Sequence, residues 1–156
     1  MKLNLSNADQ VRAAFEVIMK NAGKVAPREN IVGTLLSPMV PPGQECIIGM
    51  IRDTQFGPVI MFGLGGIFVE VLKDVSFRVA PLADEDIDEM IREIKGYKIL
   101  TGVRGEKAKD IESIKGVLAK LSEIVIDNPE INELDLNPVI VHEKGLSIVD
   151  SRVLIG

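Results

Sequence analysis

The hydrophobic pattern changes period twice along the chain, and that order of periods narrows the folds open to it. Between residues 44 and 82 apolar residues run in short β-branched and aromatic stretches, "ECIIGMIRD" and "PVIMFGLGGIFVEVLKDVSFRVAPL". Such runs, bounded by glycine and acidic turn signals, predict strands. The first ends at the turn "DTQFG"; the second divides into two or three strands at "GLGG" and "KD". The period then lengthens. In "DEDIDEMIREIKG" the residues Ile87, Met90, Ile91 and Ile94 fall on one helical face, with Asp84 or Asp86 as the cap and Gly96 as the stop. After a loop at "TGVRGEK", a longer helix carries the stripe Ile111, Ile114, Leu118, Leu121 and Val125 and ends at Asn128-Pro129. Two strands close the chain, "INELDLNPVIV" and "LSIVDSRVLI", joined by the turn "HEKG". Strands in a block, then helices, then a strand pair predict an α+β fold with helices packed on a sheet; a doubly wound sheet would alternate more regularly.

Upstream, Ser6 or Asn7 can cap a helix with Asp9 in its first turn and Val11, Phe15, Ile18 and Ala22 on one face; Gly23 stops it. "IVGTLL", 31–36, reads as a strand, and "SPMVPPGQ" is a proline-rich break.

With 156 residues the chain has enough length for one domain with a real core. A net charge of −5 argues against nucleic acid as the main partner, because phosphate backbones need a basic surface. One cysteine, Cys46, permits no internal disulfide, which fits a reducing cytoplasm. "MKLNLSNADQ" lacks an export signal's apolar core, and the longest apolar run, "GPVIMFGLGGIFVEVL", is broken by glycines and an acid, so no membrane span is expected.

Three motifs need weighing. Gly63, Gly65 and Gly66 suggest a dinucleotide loop, but that loop opens a helix and "IFVEV" is a strand pattern, so a turn or bulge is the better reading. His142, the sole histidine, reads as an exposed turn residue, and Cys46 as core. The third motif is "LDLNPVIV", 134–141. Strand periodicity puts Asp135 and Asn137 on one face, with Leu134, Leu136 and Pro138 on the other. A hairpin through "HEKG" would bring Asp150, in "IVDSR", towards Asn137. A carboxylate and an amide oxygen converging from neighbouring strands suit Mg²⁺, which takes few protein oxygens plus phosphates. A polar outer face with turn-flanking acids explains the same residues equally well.

The stretches "PPGQECIIGMIRDTQFGPVIMFGLGGIFVEVLKDVSFRVAPL", "IKGYKILTGVRGEKAKDI" and "LDLNPVIV…SIVDSR" resemble the β subunit of NDP-forming acyl-CoA synthetases. These include the archaeal ADP-forming acetate–CoA ligases and belong to the succinyl-CoA synthetase superfamily. The resemblance implies an ATP-grasp fold: residues 1–40 as part of a small lobe, helix plus strand, and residues 41–156 as the large lobe, a mostly antiparallel sheet with packed helices. It implies ATP or ADP and Mg²⁺ as cofactors, with Asn137 and Asp150 on the metal. Asp135 would be the catalytic acid facing a phosphohistidine delivered by an α-type, CoA-binding partner subunit. Met39, Val40 and Glu45 would contact the nucleotide, Glu45 at the ribose hydroxyls.

Two departures accompany it. Family members begin upstream, with a transferring histidine and a phosphate lysine that this sequence does not hold. At the hinge, Ser37-Pro38-Met39 replaces the family's Gln-Glu-Met, and Pro38 has no N–H to offer adenine. The expectation is therefore an acid–CoA ligase component inactive alone, with a truncated lobe prone to self-association. A non-catalytic interaction or regulatory module, and an enzyme divided over two polypeptides, are the rival readings.

Overall fold

The computed structural model describes residues 1–66, 71–103 and 105–156. The chain divides into two compact units, Met1–Pro41 and Pro42–Gly156.

In the first unit, helix α1 spans Ala8–Ala22. Asn7 is its cap: the side chain accepts the Gln10 N–H at 3.0 Å, while Gln10 Oε1 reaches back to accept the Ser6 N–H at 2.8 Å. Reciprocal bonds of this kind satisfy donors that the first turn leaves orphaned. The expected stripe is only partly right. Ala14 is the buried residue of the helix, Val11, Ile18 and Ala22 are half-buried, and Phe15 is exposed. A short 3₁₀ turn follows at Arg28–Asn30. The strand expected over 31–36 is absent: no described residue pairs with this segment in a ladder, and Val32, Leu35 and Leu36 are exposed. An apolar β-branched run supplies one face of a strand, but a strand exists only with a partner for its N–H and C=O groups.

The second unit is built on one antiparallel sheet. Strands β1 (Gln44–Asp53), β2 (Gly57–Leu64), β3 (Val75–Val79), β4 (Ile131–Val141), β5 (Leu146–Ile148) and β6 (Ser151–Ile155) lie in the order β3-β2-β1-β4-β5, with β6 also pairing β4. The β1–β2 turn forms because Asp53 Oδ1 accepts the N–H groups of Gln55 and Phe56 at 2.7 and 2.9 Å. The third strand considered for "IFVEV" falls largely on residues 67–70, outside those described.

Helices α2 (Asp84–Glu93), α3 (Tyr97–Leu100) and α4 (Ile111–Asp127) supply the other layer. Alternation decides which side of each strand they cover. Cys46, Ile48 and Met50 of β1, Ile60, Phe62 and Leu64 of β2, and Leu134, Val139 and Val141 of β4 are buried in one cluster. The same cluster holds Ile87, Met90 and Ile91 of α2 and Ile114, Leu118, Leu121 and Val125 of α4, the stripes expected from sequence. Each fully buried side chain of this size contributes roughly 1.5–3 kcal/mol. The α2 cap differs from expectation. Ala83 holds the N-cap position, and Asp86, at the third helical position, accepts the Ala83 N–H at 2.9 Å; an acid in the first turn still suits the dipole.

Polar groups pin the layers together. Helix α4 has no basic residue in its last turn, and Arg52 of β1 supplies one. It donates to the carbonyls of Val125, Asn128 and Ile131 at 2.8, 3.3 and 2.9 Å, satisfying helix-end acceptors. Buried Asp74 accepts the N–H groups of Lys95 and Gly96, both at 2.7 Å.

The closing strand pair is less regular than expected. The run "LSIVDSRVLI" breaks at Val149–Asp150 into β5 and β6. On β4, three steps from Leu136 to Val139 span two steps of β1, from Ile48 to Cys46. This bulge against β1 falls between Leu136 and Val139; on the other side of β4 the register runs evenly, from Asp135↔Arg152 and Leu136↔Ser151 with β6 to Val139↔Ile148 with β5.

Candidate functional site

The face of the sheet turned away from α2 and α4 is where the chemistry-bearing residues of the second unit gather. One row crosses it: Phe77 of β3, Met61 of β2, Gly49 of β1, Asp135 of β4 and Arg152 of β6 are successive ladder partners. Gly49 gives Asp135 room. A methyl group built on Gly49 would lie 4.0 Å from Asp135 Oδ1 and 3.6 Å from Met61 Cε, so the carboxylate leans over a strand that has no side chain there.

Asp135 is half-buried, and burial is the largest influence pushing its carboxyl above the ordinary carboxylate range. The neighbouring charges of Glu133 and Asp150 push it the same way, and Arg152 opposes them. Crowded carboxylates with a single opposing guanidinium form a site that a cation would relieve. Asn137 and Asp150 are both exposed and are tied by the backbone: the Asn137 N–H donates to the Asp150 carbonyl at 3.2 Å, and Val149 N–H to the Pro138 carbonyl at 3.0 Å. The break between β5 and β6 and the bulge in β4 therefore meet. Asp150 Oδ1 accepts the Ser151 N–H at 2.9 Å, leaving Oδ2 available. Among the described residues no three His, Cys, Asp or Glu side chains form a metal cage. Asn137 and Asp150 offer one amide and one carboxylate oxygen, a donor set that suits Mg²⁺, which takes one or two protein oxygens with phosphates and water completing the shell.

Glu45 is the second residue of β1, four residues before Gly49 on the same side, about 13 Å along the strand. Sequence reasoning missed its neighbour. Gly65 donates its N–H to the Glu45 carbonyl at 2.8 Å, and a Cβ on Gly65 would sit 2.9 Å from Glu45 Cβ. Gly66 has φ +63, and Glu45 Oε2 lies 3.8 Å from where its Cβ would be. "GLGG" is thus a turn seated on Glu45; a Gly pair at a strand end was the available signal. Met39 and Val40 belong to the first unit, Met39 exposed and Val40 half-buried, on a stretch with neither helix nor strand.

His142 is half-buried rather than exposed, because its ring nitrogen Nε2 lies 3.3 Å from Ser147 Oγ across the β4–β5 turn. That turn is docked on α4. Asp110, the α4 cap, accepts the N–H groups of Gly145 and Ser113 at 2.6 and 3.0 Å, which hold its carboxyl below the usual range. Cys46 is fully buried, and burial pushes its thiol up to about 12, so it is packing rather than a nucleophile.

Residues 1–155 match the family described as an ATP-grasp domain. This chain belongs to the ATP-grasp family. The chain is 50% identical over 155 residues, 99% of its length, to the β subunit of ADP-forming acetate–CoA ligase I from Pyrococcus furiosus. It spans 67% of that subunit, and 23% of an ADP-forming acetate–CoA ligase from Archaeoglobus fulgidus to which it is 49% identical. Among solved structures it resembles the dinucleotide-forming acetyl-coenzyme A synthetase 1 of Ca. Korarchaeum cryptofilum. One, in complex with coenzyme A, acetyl-coenzyme A and a phosphorylated phosphohistidine segment, has TM-score 0.92 and 50% identity, covering 99% of this chain and 69% of that one. Another holds coenzyme A and Mg-AMPPCP with its phosphohistidine segment pointing towards the nucleotide binding site, at TM-score 0.88 and 48% identity, over 99% of this chain and 67% of that one. The α+β architecture of this ATP-grasp chain is the one its sequence implied, an antiparallel sheet with helices packed on it. No helix among the described residues is long and apolar enough to cross a membrane.

Proposed function

We propose that this chain is the nucleotide-binding β-type component of an ADP-forming acyl-CoA synthetase, moving a phosphoryl group between nucleotide and a phosphohistidine on an α-type, CoA-binding partner. The carrying observation is the meeting of Asp135, Asn137 and Asp150 where the β4 bulge faces the β5–β6 break.

In this reading Glu45 holds the ribose hydroxyls, and the nucleotide's phosphates extend towards Gly49 and Asp135. Asn137 and Asp150 hold Mg²⁺, which when bound supplies positive charge for the phosphates. Asp135 accepts a hydrogen bond from the incoming imidazole, orienting the nitrogen that receives the phosphoryl group. Phosphoryl transfer needs mainly positioning and charge neutralisation, and these residues offer both without a nucleophile of their own. The chain alone should therefore make no acyl-CoA; phosphoryl exchange should require the partner and be lost in Asp135→Asn.

Calorimetric titration of Mg·ADP tests the site. Asp150→Asn should weaken binding by about 1–3 kcal/mol, the scale of a lost charged partner, and His142→Ala should leave it unchanged. Equal effects from the two variants would overturn the assignment.

A further inference from the structure

The second unit commits its other described arginines. Arg52 donates to the carbonyls of Val125 and Asn128 at the end of α4 and of Ile131 at the start of β4; Arg78 pairs with Glu89 and Glu93 at 3.5 and 2.8 Å; Arg92 pairs with Asp88 at 3.5 Å. Arg152 differs. It is exposed on β6, directly opposite Asp135 in the ladder and two residues after Asp150. Directly opposed residues share a face with their Cβ atoms about 5 Å apart. A guanidinium serving only as counter-ion would close on that carboxylate through two parallel hydrogen bonds. It does not: Arg152 forms no ion pair with any described residue, and Asp135 leans the other way, over Gly49. The fork of donors is left beside Asp135, whose carboxylate also feels the negative charges of Glu133 and Asp150. Any phosphoryl group entering among these acids brings more negative charge. A cation at Asn137 and Asp150 would offset it on one side; on the Asp135 side Arg152 is the described group able to do so. The planar fork matches two oxygens of one phosphoryl group, a match lysine lacks.

We propose that Arg152 binds the phosphoryl group in transit, gripping two of its oxygens beside Asp135. This rests on reading the site as a phosphoryl-transfer centre. In the forward step the bond from the terminal phosphorus to the bridging oxygen breaks and its electron pair stays on the diphosphate, while the lone pair of the imidazole's unprotonated nitrogen forms the nitrogen–phosphorus bond; the proton on the other ring nitrogen stays there, hydrogen-bonded to Asp135. Arg152 stays protonated throughout and moves no proton, so it is an electrostatic clamp.

Two measurements on the full chain test the clamp. In the first, arginine Nε–Hε NMR spectra are recorded during titration with Mg-pyrophosphate and then with phosphoramidate, which carries the nitrogen–phosphorus bond of a phosphohistidine. The Arg152 signal, identified by its loss in Arg152→Gln, should move with at least one probe. Movement with phosphoramidate alone supports the clamp and puts it on the partner's side of the transfer. A signal unmoved by both overturns the proposal, because a residue that only balances Asp135 has no reason to respond. In the second, affinities for Mg·AMPPCP and Mg·ADP are compared. Arg152→Gln should lower the first roughly 10- to 100-fold and the second much less, with partial recovery in Arg152→Lys; equal losses overturn the assignment to the transferred group. Asp150→Asn separates this from the broader reading. If it leaves nucleotide affinity intact while the Arg152 signal responds, the metal assignment fails and the clamp stands. If wild type binds neither nucleotide, the NMR titration decides the clamp alone.

Discussion

The two faces of one sheet carry opposite kinds of residue on alternate positions of the same strands. Along β1, Cys46, Ile48 and Met50 point into the helices and are essentially inaccessible, while Glu45, Gly49 and Ile51 point the other way. The inner face is apolar over most of β1, β2 and β4, and its polar members Arg52, Ser76 and Arg78 bond to or pair with the helices. The outer face breaks the apolar pattern, with a glycine in mid-strand, an acid over that glycine, a bulge and an interrupted partner strand. Local conflicts of this kind collect where a chain carries function rather than packing. The inner face should therefore govern stability, and the outer face what binds.

Substitutions can break that division, beginning with the largest effect. Phe62 is fully buried between β2 and the helices. Phe62→Ala should cost about 3–5 kcal/mol of the second unit's stability in urea unfolding; a cost under 1 kcal/mol would mean that the inner face is not the core. Arg52 comes next, since its loss strands the three carbonyls it caps. Arg52→Ala should cost about 2 kcal/mol and speed hydrogen exchange in the last turn of α4 without changing nucleotide affinity. Gly65 lies at the seam between the two kinds of behaviour. Its missing Cβ lets the turn sit on Glu45, so Gly65→Ala should cost about 1–2 kcal/mol through overpacking and also weaken nucleotide binding. Loss of stability alone would separate the turn from the site.

The smallest expected effect has the opposite sign. The raised carboxyl of Asp135 means that the folded chain holds this proton more tightly than the unfolded chain, whose value is near 3.8. From that value upward the folded state binds more protons, so the group's contribution falls as pH rises through the window. Asp135→Asn should raise the urea midpoint slightly at pH 7, with the gain disappearing below about pH 3.8, while phosphoryl exchange is lost. A destabilised Asp135→Asn at pH 7 would mark Asp135 as structural and erase the contrast between the faces. Asp110, held low by the Gly145 and Ser113 N–H groups, titrates the other way: its support is present above pH 3.8 and fades as pH falls through its depressed value.

The sequence alone determined what depends on period and local chemistry. The stripes Ile87–Met90–Ile91 and Ile114–Leu118–Leu121–Val125, the buried Cys46 and the hairpin at "HEKG" were all legible, because an amphipathic pattern has one low-energy orientation against a core. The polar identities of Asp135, Asn137 and Asp150 were legible too, as interruptions of apolar runs. Pairing was not. Residues 31–36 have strand-forming side chains and no ladder, because a strand is defined by a neighbour that composition cannot name. The bulge between Leu136 and Val139 depends on register with β1, which the residues of β4 do not encode by themselves. Only the tertiary structure put Arg152 opposite Asp135, and Gly65 on Glu45. Those contacts join residues 17 and 20 positions apart, and they follow from strand register and backbone approach, which no local pattern encodes.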